Sequence, residues 1–253
     1  MPTDRTDFIG VGFDRLTMEQ TLERLAAVTA DAPYAYLVTP NVDHMVRLER
    51  SEQTLPELRR IYAEADICVC DSRVLARLAR LFGIDLPVVT GSDLTRLLFE
   101  RIIKPGDRVA FVGGDAVLLE TFQRLYPAVE FHQHLPPMGL LRNPAAREEA
   151  ARFIAECKAR FSFIAVGSPQ QELIAAEVRA FPQARGTALC IGAALEFIAG
   201  RQQRAPEALQ RAGLEWAHRL ASEPRRMWRR YLVEGPKIFQ LALRWQRTRS
   251  RGA

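Results

Sequence analysis

Five short polar turns in this 253-residue chain carry the side chains best suited to chemistry, and each follows a run of apolar residues. Thr39-Pro40-Asn41, with Asp43 and His44 close behind, follows Tyr34–Val38. The proline fixes the backbone there. Threonine and asparagine supply short donors and acceptors, either for a ligand or as caps of the helix that should follow. Asp71 follows the four apolar residues Ile67–Cys70, which puts it at the mouth of a sheet. A partly desolvated carboxylate in that position suits a general base that removes a proton from a sugar hydroxyl. It suits equally a cap for a helix starting at Arg73. Gly113-Gly114-Asp115 follows Val109–Val112 and precedes a helical pattern, so its amides can cradle a phosphate. Gly167-Ser-Pro-Gln-Gln-Glu172 offers a helix start with two side-chain amides and a carboxylate, and Gly192 closes Ala188–Ile191.

The elements that must hold these turns follow from the same pattern. Continuous apolar runs alternate with amphipathic stretches at 72–82, 93–103, 116–125 and 145–160. That alternation predicts a parallel sheet covered on both faces, with ligands bound beyond the carboxyl ends of its strands. Ahead of the repeats, Phe8–Gly12 leads into a helix opened by Thr17-x-x-Gln20, a capping-box spacing. Pro136-Pro137-Met138-Gly139 reads as a rigid exposed loop over the same rim.

Charge divides the chain. Residues 201–253 hold thirteen Lys/Arg against four Asp/Glu, whereas the first two hundred hold twenty-two against twenty-six. An acidic body joined to a basic tail points to an anionic partner: nucleic acid, lipid headgroup or phosphorylated substrate. Arg225, Arg226, Arg229 and Arg230 form two i,i+4 pairs with Arg219 a turn or two earlier, a surface suited to a diphosphate. Beyond Gly235-Pro236, Ile238, Leu241, Ala242 and Trp245 share one helical face while Lys237, Arg244, Arg247 and Arg251 share another. That is the pattern of an interfacial membrane helix.

Several classes are disfavoured. No run of eighteen apolar residues predicts a membrane span, and the N-terminus lacks the apolar core of a signal peptide, so a cytosolic protein is expected. Cys68, Cys70, Cys157 and Cys190 read as small buried hydrophobes of a reducing compartment. There is no P-loop, no G-x-S-x-G, no H-E-x-x-H, and no Asp-x-Asp pair to hold a divalent ion on a nucleotide diphosphate. His44, His132, His134 and His218 are scattered, and His132-x-His134 reads as a polar strand end rather than a metal site. The glycine spacing of a dinucleotide fingerprint is absent, which disfavours a nicotinamide-dependent oxidoreductase. An acidic body argues against a nucleic-acid-binding module.

Nine segments in order, IGVGFDRLTMEQ, VTPN, Asp71 at a strand end, VTGSDL, FVGGD, PPMG, VGSPQQE, IGAALEFIAGRQQRAP and GLEW…EPRRMWRRY, resemble the WecG/TagA/CpsF glycosyltransferases, glycosyltransferase family 26. The resemblance implies an inverting enzyme of bacterial surface-polysaccharide assembly. Its partners would be a UDP-sugar donor, a polyprenyl-diphosphate-linked acceptor and the inner-leaflet membrane surface. It implies no cofactor, no metal and no nucleic acid, and self-association is compatible with it. Carried onto this sequence, the family's base falls on Asp71, its turn on Thr39, Pro40 and Asn41, and its active-site glutamine on Gln171. Its diphosphate-binding arginines fall on Arg219, Arg225, Arg226 and Arg229, with Arg230 beside them. Gly91, Gly113, Gly114, Gly167, Glu172, Gly192 and Arg204 complete the expected substrate-binding set. Three positions depart from the family's pattern: Ser72 replaces a glycine, Gln170 a lysine and Val88 an arginine.

The expected architecture is therefore a Rossmann-like, mostly parallel α/β sheet with helices on both faces over residues 1–200. A basic helical appendage over 201–253 would contact substrate diphosphate and the membrane. The expected reaction moves a hexose (an N-acetylhexosamine, a uronic derivative or glucose) from UDP to the lipid-linked saccharide. The alternative is a catalytically altered scaffold that keeps the fold and binds the UDP-sugar.

Overall fold

The computed structural model describes residues 5–202 and 205–252. A small antiparallel hairpin, β1 (Thr6–Phe8) and β2 (Val11–Phe13), opens the chain. Six further strands form one sheet in which every neighbouring pair is parallel. They are β3 (Ala35–Val38), β4 (Ile67–Cys68), β5 (Arg108–Val112), β6 (Glu130–His134), β7 (Phe161–Ile164) and β8 (Thr187–Cys190). Their spatial order is β4-β3-β8-β7-β5-β6. The chain builds outward from β3 to β4, crosses to the other half for β5 and β6, and returns to fill the centre with β7 and β8. Such a reversal opens a crevice at the carboxyl ends of the central strands.

Alternation along each strand sends side chains into two separate cores. Tyr36, Val38, Cys68, Val112, Ile164 and Cys190 share one. On that face pack α2 (Val42–Arg50), α3 (Glu57–Glu64), α4 (Arg73–Arg80), α7 (Pro144–Cys157) and α8 (Gln170–Glu177). Leu37, Val109, Phe111, Phe161, Phe163 and Leu189 share the other, covered by α1 (Met18–Ala26), α5 (Gly91–Leu97), α6 (Ala116–Leu125) and α9 (Ala194–Ile198). Both faces are buried, so the central strands read as near-continuous apolar runs, with Ser162 and Thr187 buried among them. The cysteines are all free thiols, and Cys68, Cys70 and Cys190 are buried.

Side-chain caps set several helix starts, and one helix and one strand have boundaries other than the sequence suggests. Thr17 and Gln20 form the expected capping box at α1. The helix expected from residue 93 begins at Gly91, because the Thr90 side chain accepts from the Asp93 amide; it continues into a wide π-helical turn, Leu98–Ile102. The strand expected over Ile67–Cys70 leaves the regular ladder at Cys68, with Cys70 bridging separately to Val88.

After residue 205 come α10 (Glu207–Ala212), α11 (Glu215–Ser222), α12 (Pro224–Trp228), a π-helical segment Arg229–Glu234, and α13 (Lys237–Gly252). Here the structure corrects the membrane-helix expectation. Ile238, Leu241 and Ala242 are buried in the protein's own core. Trp245 stands edge-on to Phe8 at 5.3 Å and to Phe82 at 6.2 Å, and its Nε1 donates to Asp7. An apolar stripe cannot tell lipid from protein, and here the body covers it. No described helix is long and apolar enough to cross a membrane.

Candidate active site

The carboxyl ends of β3, β4, β5, β7 and β8 surround a cavity of about 980 Å3, roofed by residues of α11, α12 and the π-helical segment. Thr39, Asn41, Asp71, Gly114, Gly167, Gln171, Gly192, Arg219 and Arg230 of the expected set line it.

Asp71 sits one residue beyond Cys70, its amide donating to the Pro40 carbonyl at 3.0 Å. The cap of α4 is Ser72, whose hydroxyl accepts from the Leu75 amide. With that task taken by its neighbour, the Asp71 carboxylate is left for the cavity. Burial pushes its pKa up to about 7. The Gly91 amide, which donates to the carboxylate, and Arg219 oppose the shift, while Glu215 and Asp93 add to it. A carboxylate poised near neutrality can hold or release a proton at the pH where it works.

Gly91 packs close to both turns: a Cβ there would lie 3.4 Å from the Thr39 Oγ1 and 3.7 Å from the Asp71 Oδ2, in ordinary contact with each. Thr39 is buried and donates to the Cys190 carbonyl at 3.2 Å, which ties the first turn to β8. Asn41 is the cap of α2: its Oδ1 accepts from the Asp43 and His44 amides. Gln171 is held at both ends, its Oε1 accepting from the Gly192 amide at 3.0 Å and its Nε2 donating to Glu172 at 2.9 Å.

Other expected residues stand back from the cavity. Glu172 is buried beneath it, accepting from the Tyr62 hydroxyl, and its role is to hold Gln171 rather than to meet solvent. Pro40 and Gly113 are buried, and the Gly113 amide donates to the His134 carbonyl, so it is unavailable to a phosphate. At Gly113 a Cβ would meet Val166 at 2.9 Å, so glycine is required there for packing. Asp115 caps α6 and forms a two-pronged pair with Arg201.

Of the tail arginines, Arg219 and Arg230 face the cavity, whereas Arg225 and Arg229 are exposed outside it. The Arg219 guanidinium lies 5.2 Å over the Phe197 ring. Arg230 reaches Asp43 at 3.5 Å. Arg204 and the side chain of Arg226 lie outside the described residues. Val88 sits beside Cys70 through the isolated bridge, one residue from the base.

Several cavity residues escaped sequence reasoning. Arg47 bonds Asp43 at 2.6 Å and the Ser168 carbonyl at 2.7 Å. Glu215 pairs with Arg73 at 2.6 Å, fastening α11 to α4, and Trp216 lies beside it. The GLEW segment contained Glu215 and Trp216, but only the arginine after it carried a charge that could be matched to a diphosphate. Among the described residues no three His, Cys, Asp or Glu side chains gather as a metal site would need.

A six-stranded parallel sheet with a carboxylate of raised pKa and two guanidinium groups at its crevice places an acid–base group beside cations that can hold an anionic ligand. Residues 6–252 match the glycosyl transferase WecG/TagA/CpsF family, and the chain belongs to it. It is 29% identical over 219 residues to the N-acetylglucosaminyldiphosphoundecaprenol N-acetyl-beta-D-mannosaminyltransferase of Bacillus spizizenii, covering 84% of this chain and 80% of that protein.

Proposed function

We propose that this protein is an inverting, UDP-sugar-dependent hexosyltransferase that extends a polyprenyl-diphosphate-linked saccharide in bacterial surface-polysaccharide synthesis. The observation that carries the reading is Asp71: a half-buried carboxylate at a strand end, released from capping by Ser72, with its pKa raised to about 7. Asp71 takes the proton of the acceptor hydroxyl as that oxygen attacks the anomeric carbon. The bond from that carbon to the diphosphate breaks on the opposite side, and UDP leaves with the electron pair. Arg219 and Arg230 stabilise the charge gathering on the diphosphate, a task for pre-placed cations. No divalent metal is required in this scheme.

The relative's acceptor and donor make an N-acetylhexosamine transferred to a lipid-diphosphate-linked N-acetylglucosamine the first pair to test. In this reading residues 1–200 supply the base and the sheet crevice, and residues 201–253 form the appendage that adds Arg219 and Arg230. That appendage approaches the membrane by a face other than the one the sequence suggested. Trp228, Leu232, Phe239 and Leu243 are about half exposed at helical spacing, with Arg225, Arg229, Lys237, Arg244 and Arg247 exposed around them. Apolar side chains flanked by cations suit an anionic bilayer surface.

The deciding experiment offers UDP-sugars one at a time with a lipid-diphosphate-linked N-acetylglucosamine and determines product mass and anomeric configuration. An inverted glycoside from one donor supports the proposal. No turnover with any donor, or retention of configuration, would refute it.

A further inference from the structure

His44 has no part in the reaction just described, yet it lines the cavity. It is the third residue of α2, and its ring completes a capping box: the Asn41 backbone N–H donates to Nδ1 at 3.1 Å. Only an unprotonated ring nitrogen can accept from an amide. The local fold therefore sets the neutral tautomer, with the hydrogen on Nε2. That nitrogen has no hydrogen-bond partner among the described residues.

The charged groups around the ring are Asp43 and Arg47 on its own helix, Glu172 from α8, and Arg230 from the C-terminal segment. Burial is the main influence and lowers the ring's pKa, with Arg47 and Arg230 lowering it further and Glu172 and Asp43 opposing them. Protonation would also put a hydrogen on Nδ1 against the Asn41 N–H and break the cap. Arg230 lines the same cavity, and its Nε is a second donor, buried and without a partner. Two unused N–H groups on residues of one cavity, one neutral and one cationic, ask for a ligand rich in acceptor oxygens.

We propose that His44 is a substrate-binding residue that donates from Nε2 to a diphosphate oxygen alongside Arg230. The inference rests on the glycosyltransferase reading and adds to it a neutral donor that keeps its hydrogen across the working pH range.

The test separates this role from the capping role. A glutamine or glutamate at the third helical position accepts from the N-cap amide as the ring does. His44→Gln and His44→Glu should therefore melt like the wild type. Titration calorimetry with UDP and, separately, with farnesyl diphosphate should then show weaker binding of at least one by about 10- to 100-fold, and more for the glutamate. Loss toward UDP alone places the donor on the leaving diphosphate, and loss toward farnesyl diphosphate alone places it on the acceptor. Ring 15N spectra of the wild type should show the Nε2–H neutral form from pH 6 to 8, perturbed by the diphosphate that binds. Wild-type binding with both variants unchanged, or a ring that is protonated at pH 7, overturns the proposal. A wild type that binds neither diphosphate overturns the glycosyltransferase reading as well.

Discussion

Replacing Asp71 with asparagine should destroy activity and stabilise the fold, with the second effect visible only at neutral and alkaline pH. The carboxyl pKa is raised from 3.8 to about 7, chiefly by burial. The folded protein therefore holds that proton more tightly than the unfolded chain does. Stability attributable to this group is lost as pH rises from about 4 through 7, and the loss is complete above that. At about 1.4 kcal/mol per pKa unit the shift corresponds to roughly 4 kcal/mol at pH 8, discounted to about 2 kcal/mol because the cavity admits water to one side of the carboxylate. Asparagine keeps the Gly91 hydrogen bond through its carbonyl oxygen and carries no charge, so it escapes that cost. For a chain of this length the gain should appear as a melting temperature about 4–8 °C higher at pH 8, vanishing near pH 4. Turnover should fall ~10²–10⁴-fold with UDP binding retained, and wild-type kcat/KM should show an acid limb inflecting near pH 7. Calorimetric melting of both proteins at the two pH values, beside a pH–rate profile, measures all three effects. An unstabilised variant at pH 8, or a limb inflecting near pH 4, would refute the assignment of Asp71 as a base with a raised pKa.

The C-terminal helix should reveal two faces: Ile238→Ala should cost about 2–5 kcal/mol in urea melts, since it empties a core position. Phe239→Asp with Leu243→Asp should leave stability unchanged and abolish pelleting with anionic liposomes; unaltered pelleting would remove that surface from the membrane. Arg219→Ala and Arg230→Ala should each lower turnover on a detergent-soluble acceptor by about tenfold or more, whereas Arg225→Ala with Arg229→Ala should stay within about twofold; the reverse order would mean that the roof closes differently over substrate. Activity should survive EDTA, and loss on chelation restored by Mg²⁺ or Mn²⁺ would direct attention to Asp43 and Asp71 as ligands.

What the sequence made legible follows from how many neighbours each inference needed. The strands did not require any: Val109–Val112 and Ala188–Ile191 are apolar on both faces because both faces are buried, and the run itself says so. Asp71 needed one, since base and cap differ only in which residue meets the Leu75 amide, and the structure gives that bond to Ser72. The shared identity of Asn41 as cap and cavity residue was half visible, because capping uses only its carbonyl oxygen. The arginines needed a whole interface. Spacing tells which guanidinium groups are neighbours along a helix, but which of them face inward depends on how α11 and α12 meet the body. Arg73–Glu215 and Arg230–Asp43 fix that orientation through partners 142 and 187 residues apart in the chain. The same holds for Ile238, Leu241 and Trp245, whose stripe fits a bilayer and a protein core equally well until Phe8 and Phe82 are seen to meet it. His44 lay furthest from reach. Its tautomer is set by a backbone amide only three residues away, but its use depends on a cavity assembled from the far end of the chain.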